Sequence, residues 1–114
     1  MGLSEKQRRF TECIGRLIQW AYSNGFELTF GDAFRSPEQA KANAAAGTGI
    51  ANSVHTIRLA VDFNLFKDGE YQSTSEAHRP LGEYWVSLDP DARWGGNFQK
   101  SDGNHYSFTH EGRA

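Results

Sequence analysis

Residues 59–66 read Leu-Ala-Val-Asp-Phe-Asn-Leu-Phe, and this stretch decides the fold. Every second residue is a leucine, valine or phenylalanine, whereas the alternate positions carry Ala60, Asp62 and Asn64. A period of two predicts a β-strand with one apolar face. A carboxylate within such a strand is costly to bury unless a cation accompanies it. The stretch therefore predicts a sheet that carries a cation beside Asp62.

The flanking segments predict peripheral helices and further short strands. The spacing of Ser4 and Gln7 is that of a capping box, and it opens a first helix that ends at Asn24. Ser36 followed by proline opens a second helix, which ends at Gly47. This mixture predicts an α+β domain, a small antiparallel sheet flanked by helices. The other predicted elements are strands at 26–30, 94–98 and 105–109, a hairpin turn at 68–69, an irregular loop at 48–54 and a helix at 81–88.

Length and charge narrow the functional classes. The 114 residues predict one domain over residues 1–114. A net charge of −2 gives no footprint for nucleic acid, and Arg8, Arg9 and Arg16 predict a solvated helix face. Cys13 is the single cysteine, so an intrachain disulfide and a zinc site of cysteine pairs are excluded. No stretch has the length of a membrane span or the apolar segment of a signal peptide. We therefore expect a cytoplasmic monomer without membrane insertion.

Two imidazoles and a carboxylate from distant stretches have the composition of a metal site. His55 precedes Asp62 by a loop, and His105 opens the last predicted strand. Such a set can hold Zn²⁺ with a fourth position open for water, although Fe(II) and Mn(II) accept the same donors. Asp102, three residues before His105, would lie on the solvent side as a general base. Each residue alone also has a structural interpretation, and we expect His78, in a polar segment, to be exposed.

At these residues the chain resembles the zinc peptidases of the D-alanyl-D-alanine carboxypeptidase group. Their first motif is Ser-x-His-x-x-Gly-x-Ala-x-Asp, which Ser53, His55, Ala60 and Asp62 match. Arg58 stands in place of the glycine, so the loop must turn there without glycine's conformational freedom. Because neither Arg58 nor that glycine would be a ligand, the substitution leaves the resemblance in place.

The second motif is an acid three residues before a histidine that an aromatic residue follows, which Asp102, His105 and Tyr106 match. The aspartate and the Trp-Gly-Gly at 94–96 are similar to the bacteriophage endolysins of the group. The Phe-Arg-Ser at 34–36 is similar to the group's Tyr-Arg-Ser segment before a helix. The resemblance covers nearly the whole chain and implies the fold of the hedgehog and D-Ala-D-Ala peptidase type.

The resemblance also implies Zn²⁺ as the cofactor and roles for six residues. For Arg35 the alternative is a salt bridge at the start of the second helix, and for Ser53 it is a turn hydrogen bond. Asn64, on the Asp62 face, is a candidate for bracing a ligand or a plain residue of the sheet edge. The implied roles are zinc ligation by His55, Asp62 and His105, general base catalysis by Asp102, oxyanion stabilisation and substrate binding by Arg35, and substrate binding by Ser53.

We therefore expect a peptidoglycan endopeptidase that cuts the L-alanyl-D-glutamate bond of the stem peptide during host lysis. It would stay in the host cytoplasm until a holin-type protein lets it reach the periplasm and cell wall, and it would lack a separate wall-binding domain. One alternative is a carboxypeptidase or dipeptidase that acts on D-Ala-D-Ala. Another is a zinc-containing binding module without hydrolysis, as in hedgehog domains, although a structural site would not need Asp102.

Overall fold

The computed structural model, which describes residues 2–47 and 53–114, contains three α-helices and five short strands within these residues. Single turns of 3-10 helix lie at Val54–Ile57, Glu76–His78 and Gly95–Asn97. The predicted α+β class is confirmed. The elements are α1 (Leu3–Ser23), β1 (Phe26–Phe30), α2 (Pro37–Ala45), β2 (Ala60–Lys67), β3 (Glu70–Gln72), α3 (Arg79–Leu88), β4 (Ala92–Trp94) and β5 (His105–Phe108).

The strands form an antiparallel sheet with β2 at its centre, in the order β1-β2-β5-β4, and β3 also pairs with β2. The first half of β2 pairs with β5, and its second half pairs with β1 and β3. Asp68 and Gly69 connect β2 to β3 with φ angles of 53° and 77°. Two residues at positive φ are typical of a two-residue hairpin turn, so the turn signal in the sequence is confirmed.

The apolar face of β2 is buried in a core that also takes in side chains of α1 and α3. Phe10 of α1 contacts the rings of Trp85 and Phe108 edge-on, with centroids 5.7 and 5.2 Å away. Burial of each large apolar side chain contributes about 1.5–3 kcal/mol. This packing fixes the orientation of β2, and the opposite face is left to carry Asp62 and Asn64.

The start of α1 differs from the prediction. The helix begins at Leu3 with Gly2 as its N-cap, and no side chain caps it. The predicted capping box of Ser4 and Gln7 is therefore wrong, because Ser4 already lies inside the helix. Gln7 instead donates its side-chain N–H to the main-chain oxygen of Ile57 at 2.8 Å, which ties α1 to the turn before β2.

The start of α2 follows the prediction, since the Ser36 hydroxyl accepts the N–H of Gln39 at 3.1 Å. The predicted strand at 94–98 is wrong beyond its first residue. There the chain turns into a 3-10 helix that the N–H of Phe98 closes on the oxygen of Gly95. Of the predicted loop at 48–54, residues 48–52 lie outside the described residues.

One of the three arginines on the basic face of α1 makes contacts within the fold. Arg9 donates to Asp89 and to Asp91, each at 2.7 Å, and so joins α1 to the connection between α3 and β4. The interpretation as a solvated face is wrong for Arg9, which is half-buried, whereas Arg8 and Arg16 are exposed. Among the described residues, no helix has the length and apolarity needed to cross a membrane.

Candidate metal centre

The pairing of β2 with β5 places Asp62 directly opposite His105. Opposite residues in an antiparallel pair have Cβ atoms about 4.5–5.5 Å apart, so their side chains meet on one face. His105 Nδ1 lies 3.3 Å from Asp62 Oδ1. On the other side of β2, the N–H of Asp62 donates to the oxygen of Asp32, and the N–H of Gly31 donates to the oxygen of Asp62, both at 2.8 Å. Backbone on both sides therefore fixes the carboxylate.

His55 approaches the same carboxylate from the turn Val54–Ile57. Ser53 caps this turn by accepting the N–H of His55 at 3.2 Å. The ring Nδ1 of His55 lies 3.1 Å from the main-chain oxygen of Ala33. Since a carbonyl oxygen only accepts, Nδ1 carries the proton in the neutral ring. Nε2 then presents its lone pair to Asp62 Oδ1, which lies 3.4 Å away.

His105 has the corresponding arrangement with its nitrogens exchanged. Its Nε2 lies 3.2 Å from the main-chain oxygen of Ala114, so the neutral ring donates there and Nδ1 presents a lone pair to Asp62. Metal-ligating histidines usually donate their second ring N–H in this way. The donor atoms of His55, Asp62 and His105 all lie within 4.8 Å of one another. Two lone pairs that face one carboxylate call for a cation, and the N, N, O set fits Zn²⁺.

The pKa values of Asp62 and His55 are shifted by the same contacts. Burial opposes ionisation of Asp62, but hydrogen bonds from His105 and His55 and their charges outweigh it and lower the pKa of Asp62 to about 2. Burial likewise opposes protonation of His55. The hydrogen bond and charge of Asp62 outweigh burial and raise the pKa of His55 above its ordinary value. Without a metal, a shared proton would satisfy the carboxylate.

A cavity of about 630 Å³ opens beside the three donors. All six residues with predicted site roles line it, including Asp102. The structure thus brings together every one of them, from segments far apart in the chain. The other lining side chains include Lys100, which adds a second cation beside Arg35, and Phe98, whose ring centroid lies 5.6 Å from that of His105.

The turn that carries Asp102 is held against Gly95. The N–H of Asp102 donates to the oxygen of Gly95 at 2.9 Å, and the N–H of His105 donates to the oxygen of Asp102 at 3.1 Å. A side-chain carbon at Gly95 would collide with that oxygen of Asp102, so the close approach requires glycine. The carboxylate of Asp102 is exposed and has no hydrogen bond or ion pair within residues 2–47 and 53–114. It is free to accept a proton.

The same turn is gripped at the peptide group of Gly103. Its N–H donates to the Ser75 hydroxyl at 2.9 Å, and its carbonyl accepts the indole N–H of Trp94 at 2.7 Å. The Trp94 ring lies so close to Gly82 and Gly96 that a side-chain carbon at either position would collide with it. One acceptor, Ser75, and one donor, Trp94, therefore hold the main chain next to Asp102 in place.

Arg35 is anchored at both its main chain and its side chain. Its N–H donates to the oxygen of His55 at 3.2 Å, and its guanidinium donates to Asp32 at 2.8 Å. The salt bridge that was the structural alternative is therefore present. The side chain nevertheless lines the cavity, and its buried Nε has no hydrogen-bond partner among the described residues. The salt bridge with Asp32 uses one Nη of Arg35, so the other guanidinium N–H groups stay available to a ligand in the cavity.

Arg58 adopts the left-handed conformation, with φ 57° and ψ 39°, at the position where the motif has glycine. This conformation costs a residue with a side chain about 1–2 kcal/mol. The guanidinium of Arg58 stacks over the ring of Phe34, with its carbon 4.0 Å from the ring centroid. Such a contact stabilises by about 0.5–1 kcal/mol at an exposed site and offsets part of the cost.

The prediction that His78 is exposed is wrong. The side chain is 4% exposed, and its Nδ1 lies 2.8 Å from the hydroxyl of Tyr106. Burial lowers the pKa of His78 to about 4, since no charged partner offsets the loss of water. The turn that precedes α3 carries the ring inward despite its polar neighbours in sequence.

Sequence reasoning also missed three contributors to the site. Lys100 and Phe98 line the cavity, and Ser75 holds the peptide next to Asp102. The Trp-Gly-Gly at 94–96 was the one available signal, because it marks the backbone against which the 102–105 turn packs. Ser75 lies 28 residues from its partner, and nothing in its local sequence distinguishes it.

Comparison with known proteins gives the family. The model of the family described as D-alanyl-D-alanine carboxypeptidase matches residues 46–108, more than half of the chain. The chain therefore belongs to this family of metallopeptidases. No curated protein matches it significantly in sequence.

Two kinds of solved structure share the fold. The L-Ala D-Glu endopeptidase ChiX of Serratia marcescens has a TM-score of 0.70 at 19% identity, over 87% of this chain and 79% of that one. The vancomycin resistance D,D-pentapeptidase VanY, as an E175A mutant in complex with Zn(II), has a TM-score of 0.63 at 18% identity, over 90% and 71%. VanYB in complex with D-alanine-D-alanine has a TM-score of 0.62 at 18% identity, over 90% of this chain and 70% of that one.

The predicted fold, the metallopeptidase class and the zinc cofactor are thereby confirmed. The roles of the six site residues are not tested by these comparisons and stay predictions. The same holds for the single domain over residues 1–114.

Proposed function

We propose that the chain is a zinc endopeptidase of bacterial peptidoglycan that hydrolyses the L-alanyl-D-glutamate bond of the stem peptide. The observation that carries the proposal is the cluster of His55, Asp62 and His105, which opens on a cavity that also holds a free carboxylate and two cations. The aspartate at the position of the acid and the likeness in fold to ChiX support this choice of bond.

In this proposal His55, Asp62 and His105 hold the metal. A bound zinc ion acts as a Lewis acid toward a carbonyl oxygen and makes water more acidic. The protein's part is to keep the three donor atoms in place. The main-chain oxygens of Ala33 and Ala114 hold the two rings so that the correct nitrogens face Asp62.

Asp102 handles the protons. Its carboxylate accepts a proton from the attacking water and later passes it to the nitrogen of the leaving amine. Both transfers require an oxygen that is accessible and not already bonded, and Asp102 is exposed at the cavity wall. The bonds from Ser75 and Trp94 to Gly103 keep the turn from drifting while the proton moves.

Arg35 and Lys100 supply positive charge on the cavity wall. One of them would meet the carboxylate that the substrate carries next to the scissile bond, and the guanidinium of Arg35 would stabilise the oxyanion of the tetrahedral intermediate. The Ser53 hydroxyl accepts the N–H of His55, and its own hydrogen, which has no acceptor among the described residues, would donate to the substrate.

A second candidate is a carboxypeptidase that removes terminal D-alanine. The cations of the cavity favour it equally, because a D-Ala-D-Ala terminus also carries a carboxylate one residue beyond the scissile bond. The fold likeness to VanYB, which was solved with D-alanine-D-alanine, supports it as well. The two candidate activities are therefore distinguished by which bond the protein cleaves.

A zinc-containing module without catalysis is the candidate of another class. The unpaired carboxylate of Asp102 speaks against it, because an exposed acid clamped at the edge of the cavity has no part in holding a metal. A binding module would retain zinc and release no product.

Digestion of purified peptidoglycan with the zinc-loaded protein tests the three candidates together. Mass spectrometry of the products distinguishes them: a new N-terminal D-glutamyl group is expected for the endopeptidase. Free D-alanine would identify the carboxypeptidase. If no product formed from walls of several chemotypes, the binding module would be the remaining candidate. A digestion with excess EDTA, expected to be inactive, is the control for the metal.

We extend the proposal to a role in host lysis, as a monomer that waits in the cytoplasm and reaches the cell wall through a separate holin-type protein. The similarity of the motifs to the endolysin branch supports this extension. Expression in bacteria with and without a holin tests it: rapid lysis is expected only with both proteins. Lysis by the chain alone would remove the need for a release partner.

A further inference from the structure

A second cleft lies next to the metal cavity, on the other side of the turn that carries Asp102. It has a volume of about 180 Å³ and shares Ser101 and Asp102 with the metal cavity. A ligand that occupies both must pass directly beside the general base. We call this second space the polar cleft.

The polar cleft is lined by hydroxyl and amide groups. Ser73, Thr74, Gln72 and Asn104 contribute to its wall, and Asp102 is its only charged residue within the described chain. His78 also lines it and is uncharged near neutral pH, since burial lowers its pKa to about 4. The cleft therefore offers donors and acceptors but no cation, in contrast to the metal cavity with Arg35 and Lys100.

Tyr71 adds an aromatic surface at the rim. It lines the cleft, is 58% exposed, and rests against the ring of Phe66 with centroids 5.6 Å apart. An exposed ring beside several hydroxyls and amides suits a ligand with an apolar face and many hydroxyl groups. A pyranose sugar has both features, whereas a peptide carboxylate would find no positive partner here.

We propose that the polar cleft binds the N-acetylated amino sugar to which the stem peptide is attached. The inference rests on the proposed function and selects between its two bonds. L-Alanine is joined through its amino group to the lactyl group of that sugar, so the L-alanyl-D-glutamate bond lies one residue from the glycan. A D-Ala-D-Ala bond lies about four residues away, which is about 14 Å in an extended chain. Only the first bond brings the sugar beside Asp102.

Two substrates test the proposal with zinc-loaded protein. One is a disaccharide-linked tetrapeptide, and the other is the same tetrapeptide with an N-acetyl group in place of the glycan, so that no ammonium is introduced. We expect kcat/KM to be about 10–100-fold higher for the sugar-bearing substrate, which corresponds to a subsite of about 1.4–2.8 kcal/mol. The Tyr71→Ala variant should reduce this ratio at least fivefold, whereas Tyr22→Ala, at an equally exposed tyrosine on α1, should preserve it.

A binding measurement keeps the test independent of catalysis. The peptide-free disaccharide should shift the amide resonances of Tyr71, Ser73 and Asn104, and Tyr71→Ala should abolish these shifts. Equal kcat/KM for both substrates, a Tyr71→Ala effect of the same size on both, or the absence of shifts would overturn the proposal. If the sugar bound in the cleft but the L-alanyl-D-glutamate bond stayed intact, the proposed function would fail and the sugar site would stand.

Discussion

His55 and His78 are buried to nearly the same degree, 3% and 4% exposed, but they lie in opposite electrostatic surroundings. His55 faces the carboxylate of Asp62, and its pKa is raised although burial acts against protonation. His78 faces the hydroxyl of Tyr106, and burial lowers its pKa to about 4. The chemical nature of the hydrogen-bond partner, and not the degree of burial, therefore determines whether a buried imidazole can bind a cation.

The difference also explains why one histidine is a candidate metal ligand and the other is not. A carboxylate between two lone-pair nitrogens attracts a divalent ion, whereas a neutral hydroxyl beside a single ring satisfies that ring with one hydrogen bond. His78 therefore stabilises the fold beneath the polar cleft.

Replacing each ring by alanine should separate the two histidines most clearly. His55→Ala should lower zinc affinity by more than about 100-fold. Mutating a residue that only bonds a metal ligand typically lowers affinity by about 10–100-fold, and loss of the ligand itself should cost more. His78→Ala removes an equally buried ring and should retain one zinc per chain. Metal analysis after dialysis against a weak chelator measures both. A His55→Ala protein with full zinc would remove His55 from the ligand set.

Asp102→Asn should keep the metal and lose turnover. The amide has the shape of the carboxylate but cannot accept the proton, so kcat should fall by about 10²–10⁴ while zinc content stays at one per chain. Asp68→Asn is the matched control, because asparagine suits the positive φ of that turn. Wild-type cleavage rates by Asp102→Asn would show that another group takes the proton.

The lowered pKa of His78 predicts a loss of stability in acid. Between about pH 6.5 and 4 the unfolded chain binds a proton at His78 that the folded chain does not, so the free energy of unfolding should decrease as the pH falls through this window. The contribution is at most about 3.4 kcal/mol, at 1.36 kcal/mol per pKa unit. His78→Asn removes the titration but keeps a side chain that can bond Tyr106, and it should lose less stability than wild type.

Urea unfolding of both proteins at pH 7 and pH 4.5 measures this effect. Because the two proteins share the same candidate metal ligands, the difference between them reports on His78. Identical losses on acidification would mean that His78 is protonated in the folded chain.

Ser75→Ala should have the smallest effect. It removes the hydroxyl that accepts the N–H of Gly103, a bond of about 1 kcal/mol, and loosens the turn that carries Asp102. We expect kcat on the N-acetylated tetrapeptide to fall about tenfold with KM and zinc content unchanged. Ser87→Ala, at an exposed serine of α3, should leave kcat as it is. A rise in KM without a fall in kcat would assign Ser75 to substrate contact instead of positioning.

Much of the fold could be predicted because its signals are local. The alternation in residues 59–66 gave the central strand and its faces, and the serine and proline at 36–37 gave the start of α2. Predictions failed where the local pattern was ambiguous. Ser4 has capping-box spacing but lies inside α1, and the residues after Trp94 form a 3-10 helix in which Gly95 packs against the main chain of Asp102.

The candidate site was predicted as far as its motifs reached. The six residues singled out from the sequence all line the metal cavity, and they could be singled out because each lies in a short local motif: 34–36, Ser53 to Asp62, or Asp102 to His105. Nothing in the sequence indicated Lys100 or Ser75, whose positions depend on how the turns pack.

The donor types, the central strand and the family could be read from local stretches of sequence, because each depends on periods or spacings of a few residues. Tertiary structure alone decided that Asp62 and His105 stand opposite each other, that His78 is buried under Tyr106, and that Ser75 supports the turn of Asp102. Those contacts join residues 28 or more positions apart. They arise from the closing of one core, and no short stretch of chain encodes them.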